Sequence, residues 1–133
     1  MKKILLIISM VLALVPALLA QSNPEIVKWT LLDSKDNVKV YRAYIMCSNQ
    51  LRVAIKVENT GANKVQVTWN SGFMVSGNMV AINLPFTVDA EANETLTGDC
   101  QYPTLLFDPY LYVSTVQEGV CDYTIQNLNI VIL

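Results

Sequence analysis

Along residues 51–70, LRVAIKVENTGANKVQVTWN, apolar and polar positions alternate in two runs. Leu51, Val53, Ile55 and Val57 form one apolar set, and Val65, Val67 and Trp69 form a second after a break. A period of two with one apolar face is what a half-buried strand requires. The intervening Asn59-Thr60-Gly61-Ala62-Asn63 supplies residues that tolerate positive φ, so the stretch predicts a β-hairpin. Its register is restricted, because the two apolar sets share a face only under even slips. Val57 opposite Val65 sets Glu58 across from Lys64, whereas a slip of two faces Lys56 with Lys64, a like-charge pair. The first register is therefore the expected one.

Strand-like runs recur on both sides of this stretch. Val27, Trp29 and Leu31 alternate with Lys28 and Thr30, and both Trp29 and Trp69 fall on expected inward faces. A polar turn at 33–37 precedes a second run at 38–46, and Cys47-Ser48-Asn49-Gln50 leads from it into residue 51. Beyond Trp69, a tight turn at Ser76-Gly77-Asn78 joins two short runs, 73–75 and 79–84, with Pro85 ending the second or marking it as a sheet edge. A short strand is expected around 94–97, and a strand pair or one kinked strand over 105–113. In the last run the apolar phase is Cys121, Tyr123, Ile125 and then Leu128, Ile130, Ile132, which predicts a β-bulge near Gln126-Asn127. No window carries a helical period. The pattern predicts an all-β fold, a single antiparallel β-sandwich of about seven to nine strands.

The first twenty residues stand apart from that pattern. Met1-Lys2-Lys3 followed by an almost unbroken apolar run to Leu19, then Ala20 before Gln21-Ser22-Asn23, reads as a secretory signal peptide over 1–20, leaving 21–133 as one domain. The run is shorter than the roughly 20 residues that span a bilayer, so no membrane insertion is expected after cleavage. Loss of Lys2 and Lys3 takes the formal charge from -2 to -4, and no basic cluster remains to bind nucleic acid.

Export places the three cysteines in an oxidising compartment, where two pair and one is left over. Cys47 with Cys100 is the expected bridge, since each lies at the edge of an expected strand and the enclosed loop suits two facing sheets. Cys100 with Cys121 is the alternative, stapling neighbouring strands. The odd thiol, Cys121 under the first pairing, is a buried small hydrophobe or a handle for a covalent homodimer.

The residues Val53-Ala54-Ile55-Lys56-Val57-Glu58-Asn59-Thr60-Gly61, the Trp69 that ends the next run, and Glu94-Thr95-Leu96-Thr97-Gly98-Asp99-Cys100 resemble small secreted bacterial domains of immunoglobulin-like or fibronectin-type topology. Such a resemblance implies a two-sheet frame and no particular activity. The chain departs from antibody-type domains in having no tryptophan soon after its first cysteine and no Tyr-x-Cys before its second.

Candidate chemistry is sparse. The chain has no histidine, which removes the commonest general base and metal ligand and excludes hydrolase triads of the ordinary type. Asp89, Glu91, Glu94 and Asp99 form the one dense acidic stretch. It suits a solvated loop, a weak calcium site, or, least of all, a carboxylate hydrolase. Asn93-Glu94-Thr95 matches a glycosylation acceptor. Tyr110 and Tyr112 share a strand face with Tyr102 nearby, and such tyrosines serve either as core or as anchors for a protein or glycan partner. The expectation is an exported, non-catalytic, cofactor-free module that binds a protein or glycan partner in the periplasm or at the cell surface. Assembly of copies through an edge strand or Cys121 is the alternative.

Overall fold

The computed structural model describes residues 27–111, 113 and 121–133. The expected signal peptide and Tyr112 lie outside the described residues. Eight strands are described: β1 (Thr30–Lys35), β2 (Val38–Cys47), β3 (Gln50–Asn59), β4 (Val65–Val75), β5 (Asn78–Ala90), β6 (Thr95–Thr97), β7 (Leu106–Phe107) and β8 (Cys121–Ile132). One sheet runs β1-β2-β3-β6, with β7 also on β3, and the other runs β5-β4-β8. Every pairing is antiparallel, as the all-β sandwich expectation requires.

Three connections are two-residue turns whose central residues both take positive φ, as type I′ hairpins need. They are Asp36-Asn37 (48° and 65°), Ser48-Asn49 (50° and 62°) and Ser76-Gly77 (48° and 78°). The third is the expected glycine turn, and its arms extend into the whole of β4 and β5. Pro85 stands in β5, the edge of its sheet, where a strand proline is tolerated. The expected bulge in β8 is present: Thr68 pairs with Asn129 and Asn70 with Gln126, and Asn127 takes φ 55°.

The expected hairpin at 51–70 is not formed. β3 pairs with β2, β6 and β7, while β4 pairs with β5 and β8, so Val57 never faces Val65 in a ladder. The chain between them is an arch that crosses from one sheet to the other. Alternation is satisfied all the same, because β3 and β4 turn their apolar faces to one core from opposite sides. Val53, Ile55 and Val57 meet Val65, Val67, Trp69 and Phe73 there, with Val38, Val40, Tyr123 and Ile125.

Buried Asn59 fastens the arch. Its Nδ2 faces the carbonyls of Asn63 (2.8 Å), Glu91 (2.8 Å) and Ala90 (3.3 Å), and its Oδ1 accepts from Gly61 N at 3.0 Å. A backbone strand pair cannot do this; a primary amide with two donors and an acceptor can. Two polar knots close the core elsewhere. Trp69 Nε1, Ser71 Oγ and Tyr123 OH lie within 2.6–3.2 Å of one another, so the indole and phenol stay satisfied when buried. Across one flank of the sandwich, buried Arg42 of β2 reaches Asp122 of β8 at 3.5 Å. Tyr44 OH donates to the same carboxylate at 3.2 Å and accepts from Tyr123 N at 3.0 Å; burial pushes its hydroxyl up to about 12.

Other expectations are corrected by tertiary context. The first strand starts at Thr30, so Val27 and Trp29 of the expected run precede it. Trp29 is not core: it is half-buried, with its ring centroid 5.2 Å from Lys56 Nζ on the outer face of β3. Between 103 and 111 the chain forms 3-10 turns at Pro103–Leu105 and Pro109–Leu111 around the two-residue β7, where proline suits a turn better than a ladder. Gly98 is needed where this segment crosses β3, since a Cβ there would stand 2.1 Å from the Leu105 carbonyl oxygen.

The Cys47–Cys100 bridge is formed, with an S–S distance of 2.04 Å. It joins the end of β2 to the loop after β6, both belonging to one sheet, so the expected reason, two facing sheets, is corrected.

Candidate functional site

The β2–β3 turn and the segment after β7 come together at one end of the five-stranded sheet. Cross-strand pairing of Val53 with Phe107 and Ala54 with Leu106 lays β7 along β3, and the next residues arrive beside Arg52. Arg52 Nη1 stands 3.4 Å from Asp108 Oδ1 and donates to Leu51 O at 3.1 Å, while Nη2 donates to Gln50 Oε1. Asp108 Oδ1 in turn accepts from Tyr110 N at 3.1 Å, which fixes the following 3-10 turn. The result is a hollow of about 620 Å³. Its apolar wall is Met46, Leu51 and Tyr110, and its polar groups come from Asn49, Gln50, Arg52 and Asp108.

Large apolar side chains stay in solvent around this hollow: Met46 and Tyr110 are each 51% exposed and Leu111 is 73% exposed. Cys47 adjoins Met46, so the disulfide anchors the rim. Among the described residues that line the hollow, the one cation, Arg52, and the one anion, Asp108, are paired with each other. A rigid frame with an exposed aromatic and oriented planar polar groups is the chemistry of a binding site.

Tyr102 is 68% exposed but lines a separate hollow of about 310 Å³ with Val88, Leu96 and Leu105. Of the three expected tyrosines, only Tyr110 is therefore placed in the groove, and Tyr112 lies outside the described residues. Met46, Arg52 and Asp108 carry no signal in the sequence, because residues 46–52 and 108–110 meet only once β7 docks.

The acidic stretch is dispersed. Asp89 accepts from Gln66 Nε2 at 3.3 Å on the sheet surface, and Glu91 pairs with Lys64 at 2.8 Å, raising the lysine's proton affinity through that hydrogen bond. Glu94 Oε2 accepts from Glu91 N at 2.6 Å, and Asp99 Oδ1 accepts from Gln101 N and Tyr102 N, both at 2.8 Å. Each carboxylate holds its own turn or strand. Among the described residues, no three carboxylates or thiols stand close enough to share a metal ion. Asn93 is exposed on this loop, as an acceptor asparagine has to be.

Cys121 is a free thiol buried in the core, and burial first, then the Asp122 carboxylate, pushes its pKa up. Of the two expected roles, the buried small hydrophobe is the one this position fits, and a covalent homodimer through Cys121 would require the thiol to become accessible. The outer face of the larger sheet holds a cluster the pattern missed. Lys56 Nζ lies 4.2 Å from the Tyr41 ring centroid and 3.3 Å from Glu58, and Tyr41 OH donates to Glu58 at 2.9 Å. That hydrogen bond lowers the Glu58 carboxyl's pKa. Reading Ser48-Asn49 as a hairpin turn would have set Tyr41 opposite Lys56.

No protein-family model, curated protein or solved structure matches the chain at a significant level.

Proposed function

We propose that the chain is an exported, non-catalytic β-sandwich of immunoglobulin-like type that binds a protein or glycan partner in the periplasm or at the cell surface. The observation that carries this reading is the groove beside Tyr110, where exposed Met46 and Tyr110 flank a fixed Arg52–Asp108 pair on a disulfide-anchored rim. Absence of histidine from the sequence and the separate engagement of each acidic-loop carboxylate favour recognition over hydrolysis. The intramolecular bridge suits an oxidising compartment.

The test is capture of envelope proteins and envelope glycans on immobilised protein, comparing the natural chain with a Met46→Ser, Tyr110→Ala double variant. Both side chains are half in solvent, so the variant is expected to fold and to lose most of the captured material. Equal capture by both would overturn the reading.

A second reading, self-assembly through β8, rests on one feature of that edge strand. After Asp122 it carries no charge, and Ile132 and Leu133 are 67% and 59% exposed. Charge on an edge is a usual guard against pairing, and here it is missing. This reading expects a dimer in sedimentation at high concentration that Ile132→Lys abolishes; a monomer throughout sinks it.

A further inference from the structure

We infer that the groove beside Tyr110 takes a neutral oligosaccharide. This rests on the groove being a binding site, and it names the ligand's chemistry. A sugar ring presents apolar C–H faces and a rim of hydroxyl groups that donate and accept at once. Its receptor therefore needs an exposed aromatic or flat apolar wall beside planar side chains that offer donors and acceptors in fixed directions.

The groove has both. Tyr110 supplies an exposed ring, and Met46 and Leu51 extend the apolar wall. Asn49, in the positive-φ turn after β2, and Gln50, the first residue of β3, contribute amides with two donors each, the Gln50 oxygen being held by Arg52. Arg52 and Asp108 contribute a fork of donors and a carboxylate, oriented by their mutual contact and by Tyr110 N. Fixing these groups before binding lowers the ordering cost on association.

The charge of the groove selects among sugars. Among the described residues Arg52 is the one cation lining it, and the Asp108 carboxylate and the Gln50 amide oxygen already engage its guanidinium. An anionic sugar such as a uronic acid would meet a carboxylate with no spare cation among the described lining residues, in a domain whose expected mature charge is negative. A neutral sugar meets no such opposition. The volume of about 620 Å³ and the open form suit an internal stretch of a few sugar units rather than one enclosed ring.

The experiment is titration calorimetry of the folded domain. The probes are neutral hexaoses built of glucose, mannose or N-acetylglucosamine, with a galacturonic acid hexamer as the anionic comparison. At least one neutral hexaose is expected to bind, and the uronic acid hexamer to bind more weakly than it. Tyr110→Ala is expected to weaken the neutral ligand by roughly tenfold or more, and Tyr110→Phe to keep most of the affinity. Met79→Ala, on the exposed edge of β5, is the control and should match the natural chain. Unfolding midpoints of the variants separate lost binding from lost fold.

If none of the neutral hexaoses binds, if the uronic acid hexamer binds best, or if Tyr110→Ala binds as well as the natural chain, the inference fails. Should the groove then capture an envelope protein in a Tyr110-dependent way, the binding-site reading survives and the sugar does not. If neither a sugar nor a protein is bound through Tyr110, both fall.

Discussion

Removing the Cys47–Cys100 bridge is expected to lower the unfolding free energy by about 4 kcal/mol. The loop-entropy model gives this figure for a closed loop spanning 53 residues of sequence separation. The bridge constrains the unfolded chain, and it also ties the β2–β3 turn to the loop that leads into β7. The variant to make is the double Cys47→Ala, Cys100→Ala, since a single change frees a thiol that can pair with Cys121 during folding. Urea unfolding of the bridged natural chain and of the double variant measures the difference. A loss under about 1 kcal/mol would show that the strand ladders alone fix the loop. The groove should suffer more than the core, because Met46 adjoins the bridge while the Trp69–Ser71–Tyr123 knot lies between the sheets.

Asn59→Ala is the second large effect, about 3 kcal/mol. It strips partners from carbonyls of Asn63, Ala90 and Glu91 and from the Gly61 amide, in a site with almost no water. Asn59→Asp should be at least as harmful at neutral pH, because a carboxylate would face three carbonyl oxygens. Such a carboxyl has its pKa raised in the fold. The deficit is therefore fully present above the folded-state pKa and shrinks as the pH falls towards the ordinary carboxylate range, where a protonated oxygen again donates. Denaturant midpoints of both variants across pH check this. A pH-independent Asp variant as stable as the natural chain would mean that the amide's donors do not hold the arch.

Much of the sandwich is legible from alternation and turn chemistry. The apolar set Val53, Ile55, Val57, Val65, Val67 and Trp69 is the core set, the glycine turn and the β8 bulge fall where the phase breaks, and Pro85 lies on an edge. Partner choice is not legible, because a period of two fixes which face is apolar and leaves open which strand lies alongside. An arch and a hairpin produce the same alternation. What separates them is Asn59 reaching carbonyls some thirty positions further on, a long-range contact that no local window contains. The groove is hidden for the same reason. Tyr110 stands out by type, but Arg52 and Asp108 are ordinary surface charges until β7 docks on β3. Trp29 lies outside the core because its phase continues into β1 with Leu31, which is 50% exposed and pairs with Tyr41, so the alternating set faces outward there.

The arch has a kinetic consequence. Because β3 and β4 are not partners, no local ladder joins the β2–β3 hairpin to the β4–β5 hairpin, and β4 must find β8, with Val65 against Ile132. The smaller sheet is therefore complete only when the last strand of the chain has been made. Contacts of such long separation slow folding and keep the nascent chain open for longer. Under the proposed export as an unfolded thread, late closure is an advantage: the topology itself delays the fold until β8 is available on the far side.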